Sequence, residues 1–119
     1  GNQIHADRSR IDFHPIKFDT EMLERVFTSA QEIIDSELPV TCSTMTRDEV
    51  NRIMPPERTN MDLLPISVKQ LRVITIGDDF DLCPCAGTHV ANLSEIGELE
   101  LLGKKNKGSM VQRISYTIK

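Results

Sequence analysis

The sequence predicts an α+β fold in which a mostly antiparallel sheet is covered by helices. Three observations carry that expectation. The elements run strand, strand, helix, strand, helix, strand, strand, strand. One long segment has helical periodicity, and the last two strands flank a turn rich in glycine and lysine.

From Gln3 to Phe13, "QIHADRSRIDF" reads as two short strands around a turn at Ala6-Asp7, because Ile11 and Phe13 alternate with Arg10 and Asp12. Between Asp19 and Leu38, the apolar residues Met22, Leu23, Val26, Phe27, Ala30, Ile33 and Ile34 share one helical face. Glu21, Glu24, Arg25 and Glu32 lie mostly opposite, Asp19 or Thr20 caps the helix, and Pro39 ends it. "PVTCSTM" then gives a strand with Val40, Cys42 and Thr44 on one face. Thr46-Arg47-Asp48-Glu49 has capping-box spacing, so a short helix to about Met54 is expected, stopped by Pro55-Pro56. "ERTNMDLLP" reads as an irregular connection pinned to the core by Leu63 and Leu64. "QLRVITIGD" is the clearest strand, and "ELELL" and "MVQRISYTI" flank "GKKNKG" as a hairpin with a basic tip.

At 119 residues the chain is long enough for one domain, and residues 1–119 are expected to form a single one. No apolar run approaches the ~20 residues of a membrane span, and the opening residues do not resemble a signal peptide, so a cytoplasmic location without a membrane partner is expected. Three cysteines, Cys42, Cys83 and Cys85, are too few for a disulfide framework and point to free thiols or metal ligands in a reducing compartment. A net charge of -4 argues against broad, non-specific nucleic-acid binding. The charge is uneven, however. From Gly103 to Lys119 the chain carries Lys104, Lys105, Lys107, Arg113 and Lys119 and no acid. A chain opening directly on a strand also leads us to expect sequence upstream of Gly1, since such a strand needs neighbours to pair with.

"CPCAGTHVANLSEIG" places a thiol, Cys85, and an imidazole, His89, four residues apart. Such a pair can supply half of a tetrahedral zinc shell, although the spacing alone is more often incidental. Cys83 lies two residues before Cys85 and reads either as a substitute ligand or as a small packed residue. His5 and His14, nine residues apart, do not reproduce an i, i+4 helical clamp. Gly87-Thr88 reads as a tight turn that aims His89, or as a wall lending backbone N–H groups to a substrate. For Lys104, Lys105 and Lys107, a solvated turn and a phosphate contact are both open.

The segment "CAGTHVANLSEIGELELLGKKNKGSMVQRISY" resembles the C-terminal signature of the alanyl-tRNA editing family, which comprises freestanding AlaX-type proteins and the editing domain of alanyl-tRNA synthetase. Cys85, Gly87, Thr88, His89, Val90, Glu95, Ile96, Gly97, Lys107, Gly108, Arg113, Ile114 and Tyr116 fit the pattern in order. "DRSRIDF" and "RTNMDLLP" extend the likeness upstream. Ala86 stands where many relatives have glycine, and Leu93 where threonine is common.

The resemblance implies an editing-domain-like fold and hydrolysis of serine, or glycine, wrongly esterified to tRNA(Ala). It implies zinc as cofactor, with Cys85 and His89 as two ligands, Gly87 and Thr88 near the substrate, and tRNA as partner at Lys104, Lys105 and Lys107. The family's other ligand pair, His-x-x-x-His, sits on a helix before the strand that resembles "GNQI". No such pair occurs in this sequence, so a C-terminal part of an editing domain is expected, its metal site completed by an upstream segment or a separate chain. An inert tRNA-binding or assembly module of the same fold is the alternative, and threonyl-tRNA synthetase editing domains, which share the paired-motif plan, are a third reading.

Overall fold

The computed structural model describes residues 2–59 and 61–119; Gly1 of "GNQI" and Asn60 of "RTNMDLLP" lie outside the described residues. The elements are β1 (Asn2–Ile4), β2 (Ser9–Phe13), α1 (Thr20–Asp35), β3 (Val40–Thr46), α2 (Arg47–Ile53), α3 (Pro56–Thr59), β4 (Gln70–Ile76), β5 (Asp81–Pro84), β6 (Leu99–Asn106) and β7 (Gln112–Ile118), with single 3-10 turns at Met61–Leu63 and Leu93–Ile96. The fold is α+β with antiparallel sheets, as the sequence predicts. There are two sheets rather than one, and the chain forms two compact units, one from Gly1–Ser36 with Ile96–Lys119 and one from Glu37–Glu95.

The unit built from the two ends of the chain holds the four-stranded sheet, ordered β1-β2-β7-β6. Its central pairing sets Ile11 against Ile114 and Asp12 against Arg113. Because side chains alternate across a strand, Ile11, Phe13, Ile114 and Tyr116 share one face with the apolar side of α1, while Asp12 and Arg113 point to the other. Leu23 and Ile34 of α1 are buried, and an apolar cavity of about 320 Å³ lies among Ile11, Phe27, Ala30, Leu99 and their neighbours.

Entry into α1 is fixed at Phe18. Its ring meets Phe13 edge-on at 5.2 Å, its N–H donates to Gln112 Oε1 at 2.5 Å, and its carbonyl accepts from Lys104 Nζ at 2.6 Å. The Asp19 carboxylate then caps the helix by accepting from the Met22 N–H at 2.7 Å. The helix ends at Asp35, short of the expected Leu38, because Ser36 closes it and Glu37 turns left-handed at φ 58°.

The hairpin turn also lies later than expected. β6 continues through Lys104 and Lys105 to Asn106, and the chain reverses over residues 107–111, where Lys107 N–H donates to the Val111 carbonyl and Gly108 takes a φ of 137°. A bulge between Leu101 and Gly103 absorbs the misfit. Only Lys107 of the three lysines is therefore in the turn. Gly97, at φ 85°, has the Lys119 carbonyl 2.9 Å from where a Cβ would sit, so a side chain there would collide with backbone.

In the Glu37–Glu95 unit, β3, β4 and β5 form a sheet with β4 central. β5 was not expected, because "DLCP" is four residues long and ends in proline. The capping box forms as predicted, with the Glu49 N–H donating to Thr46 Oγ1 at 3.2 Å. The connection after Pro55 is not wholly irregular: α3 and the 3-10 turn occupy most of it. Its anchor also differs. Leu63 is 81% exposed, whereas Met61 is 3% exposed and joins Val50, Met54, Leu71, Val73 and Leu82 in the core, with Leu64 packed against them. Residues three apart share a side of a 3-10 turn, so Met61 and Leu64 face the core together and Leu63 does not. Among the described residues, no helix is long and apolar enough to cross a membrane.

Two outcomes test this description. Met61→Ala should cost about 2–5 kcal/mol in urea unfolding by leaving a core cavity, whereas Leu63→Ala should stay within about 0.5 kcal/mol. The Arg113 guanidinium, donating to the Asp12 carboxylate at 2.7 and 2.9 Å, holds that carboxyl below its ordinary value. The unfolded chain then binds the proton more readily than the folded one. The pair's stabilisation is complete above the ordinary aspartate range near ~3.9 and is lost as pH falls through the lowered folded value. Asp12→Asn should therefore show a shallower loss of stability than the parent between about pH 5 and 2.

Candidate functional site

The motif that begins at Cys83 leaves the end of β5 and returns through the 3-10 turn at Leu93–Ile96. Cys83, opposite Ile74 on β4, is half-buried, and its Sγ lies 3.8 Å from the Thr59 carbonyl. Burial, then the charges of Asp81 and Cys85, push its thiol pKa up. That environment suits a packed thiol better than a ligand thiolate.

Cys85 is the first residue past the strand. Its N–H still donates to the Arg72 carbonyl at 3.0 Å, and its Sγ accepts the Gly87 N–H at 3.4 Å. One side of the sulfur is thus already occupied by a backbone N–H. The Gly87 amide therefore serves the thiol, which leaves Thr88 as the exposed residue of the expected substrate wall. His89 is exposed, one residue beyond it.

The loop's shape comes from a residue that the motif does not contain. Arg72, on β4, donates through Nη1 to the Cys85 carbonyl at 2.8 Å and to the Gly87 carbonyl at 2.7 Å. A guanidinium is suited to this because its planar donors cannot be lost to deprotonation. On the far side of the loop, the Glu95 carboxylate accepts the N–H groups of Ala91 and Asn92, both at 2.9 Å, and Asn92 Oδ1 accepts the Ser94 N–H at 2.9 Å. Leu93, where threonine is common in the family pattern, is buried and donates its N–H to the Leu38 carbonyl at 3.0 Å. Arg72 carried no functional signal in the sequence, whereas Glu95 is one of the residues that fit the family pattern.

Among the described residues, no three His, Cys, Asp or Glu side chains converge into a metal-holding group. Cys85 is half-buried and His89 exposed, while His5 and His14 are exposed residues of the other unit. The basic residues separate as well. All three lysines are exposed, but Lys104 donates to the Phe18 carbonyl, and Lys105 stands opposite Arg113 in the β6–β7 register.

Residues 71–115, from β4 to the middle of β7, match the family described as the threonyl and alanyl tRNA synthetase second additional domain. The likeness to curated proteins runs along the whole chain. An alanyl-tRNA editing protein AlaX-M of Methanosarcina barkeri is 28% identical over 118 residues, covering 99% of this chain and 48% of its own length. Along its whole length the chain is similar to alanyl-tRNA editing proteins and to part of the alanine--tRNA ligases. Its relatives include alanine--tRNA ligases, among them that of Streptomyces avermitilis at 31% identity over 99% of this chain and 13% of the ligase, and that of Methanothrix thermoacetophila at 29% over 98% and 12%. The chain spans about half the length of the AlaX-M relatives it matches.

The role of Arg72 is open to direct measurement. Arg72→Ala removes the one nitrogen that serves the carbonyls of both Cys85 and Gly87. We expect a stability loss of about 1–2 kcal/mol, the low end for charge-assisted bonds because the side chain is exposed. Faster hydrogen exchange at the Gly87 amide should accompany it. Unchanged exchange at Gly87 would mean that the loop holds its shape without the arginine.

Proposed function

We propose that the protein carrying this chain removes wrongly attached serine or glycine from tRNA(Ala) by hydrolysing the aminoacyl ester. The likeness to editing proteins and alanine--tRNA ligases over 98–99% of the chain supports this reading, together with a thiol, Cys85, and an imidazole, His89, on one loop. In this reading Cys85 and His89 hold zinc, and two further donors come from outside these 119 residues. The fit of the residues present is half a shell, of the right chemical kind: one thiol and one imidazole on an exposed loop.

Zinc bound there would supply Lewis acidity toward the ester and lower the pKa of a bound water. The chain's own residues do the remaining work. Arg72 and Glu95 fix the two sides of the loop, the Gly87 N–H donates to the Cys85 sulfur, and Thr88, next to His89 in the sequence and exposed, offers a hydroxyl for orienting the ester. The free thiols Cys42, Cys83 and Cys85 suit action in the cytoplasm, where they stay reduced.

The test is deacylation of Ser-tRNA(Ala) and Gly-tRNA(Ala) by the full-length protein with zinc supplied. Cys85→Ser and His89→Ala should each lower kcat/KM by at least roughly 100-fold, more than loss of an outer-shell partner. A parent protein that binds tRNA but never releases the amino acid would instead establish an inert RNA-binding module.

A further inference from the structure

The four-stranded sheet has a second face, away from α1. The β2–β7–β6 register sets Asp12, Arg113 and Lys105 in one row across it, and Arg10 lies in the next row, opposite Ser115. Arg10 is held by its bond to the Gln3 side chain, and Arg113 by its two bonds to Asp12. Gln3, Asn2, Arg10, Asp12 and Arg113 line a shallow hollow of about 140 Å³. Lys107, at the start of the hairpin turn, completes the group. Its ammonium loses its proton more readily than usual because Lys105 and Arg113, with Arg10 further off, repel its charge.

Four cations thus gather around a single carboxylate, and one pair, Lys105 and Arg113, stands directly opposite across two strands. Like charges in that relation destabilise a sheet. The arrangement is not a by-product of a basic protein, since the chain carries a net charge of -4. It is also not explained by internal pairing, because only Arg113 has an ion pair with a carboxylate within this group. From β2 to β6 the cations span roughly 10 Å, two strand spacings, which exceeds one phosphate and matches a run of them.

We propose that this outer face of the four-stranded sheet, through Arg10, Lys105, Lys107 and Arg113, docks the phosphate backbone of RNA. The proposal deepens, and rests on, the editing reading, in which the substrate is an aminoacylated tRNA. It also divides the lysines that the sequence groups together. Lys105 and Lys107 face the RNA, while Lys104 is a structural residue whose ammonium is committed to the Phe18 carbonyl. Neutral donors at Asn2, Gln3 and Ser115 flank the cations, as is usual where phosphate contacts position a nucleic acid without reading its bases.

The experiment measures the binding of unfractionated tRNA to the full-length protein at several salt concentrations. Arg10→Gln/Lys105→Gln/Lys107→Gln should weaken binding by roughly 100-fold at low salt and reduce the slope of log K against log salt by about 2–3, close to one counterion per lost contact. Lys104→Gln should keep the parent's affinity and slope. The proposal falls if the triple variant binds like the parent while its circular dichroism is unchanged, or if Lys104→Gln alone carries the loss. It falls equally if inorganic phosphate displaces tRNA better than chloride of equal ionic strength, which would mark a small-anion site. Loss of binding to phosphatidylserine vesicles without any loss for tRNA would also overturn it.

The editing reading is separated by a second arm. With Ser-tRNA(Ala), the triple variant should raise KM and leave kcat within about twofold. A parent without deacylase activity whose tRNA binding still depends on the three cations defeats the editing reading alone. An active parent whose KM ignores them defeats the surface alone.

Discussion

Backbone carbonyls outside helices and strands must find donors, and in the Glu37–Glu95 unit two arginines provide them. Arg47 donates to the carbonyls of Val68 at 2.9 Å, Met61 at 3.3 Å and Leu64 at 3.1 Å, and also to that of Pro65. Arg72 does the same for Cys85 and Gly87. One arginine thereby folds the connection against the core through Met61, and the other gives the Cys-x-x-x-His loop its shape. A lysine in place of Arg47 offers three donors on a compact ammonium instead of five on a rigid plane, and cannot span the same set of oxygens. The loop that is the candidate for chemistry thus depends on a strand residue with no chemistry of its own.

The same principle operates in the other unit with different donors. Gln112 and Lys104 hold the two polar groups of Phe18, and Gln31 accepts the Leu99 N–H at 2.8 Å while donating to the Gly97 carbonyl at 3.1 Å. Both glutamines bridge segments that are distant in sequence. Gln112 is 5% exposed, and its amide is fully used, since its Nε2 donates to Asn106 at 3.1 Å. A buried polar side chain with every group satisfied specifies one arrangement of its neighbours. The approach to α1 is therefore set by hydrogen bonds as much as by its apolar face.

Local signals were legible in the sequence wherever a single side chain acts on nearby backbone. The Asp19 cap, the Thr46–Glu49 box, the turn near Asp7 and the strand at Gln70–Ile76 all follow from spacings of a few residues. The strand at "DLCP" was not expected, because it is short and leans on β4 for pairing. The placement of Leu63 and of the lysine turn failed for a related reason: each depends on the phase of a turn, which a bulge or one 3-10 residue shifts. At the site, Cys85 and His89 were visible as residue types with a spacing. Arg72 and the division of Lys104 from Lys105 were not, because both require knowing which strands are neighbours and which face is inward.

The pairing of β2 with β7 joins Ser9 to Tyr116, nearly the full length of the sequence apart. All of Glu37–Glu95 lies in the loop that this pairing closes. Its own sheet needs only β3, β4 and β5, which follow one another along the chain, so it can form while the ends are still apart. Closing a long flexible loop costs entropy that grows with its length, and an already folded insert shortens the flexible part. The order of assembly is therefore written into the connectivity. The inserted unit has all of its strands before β7, the last strand of these residues to be made, so it is able to form ahead of the sheet that bears the basic face.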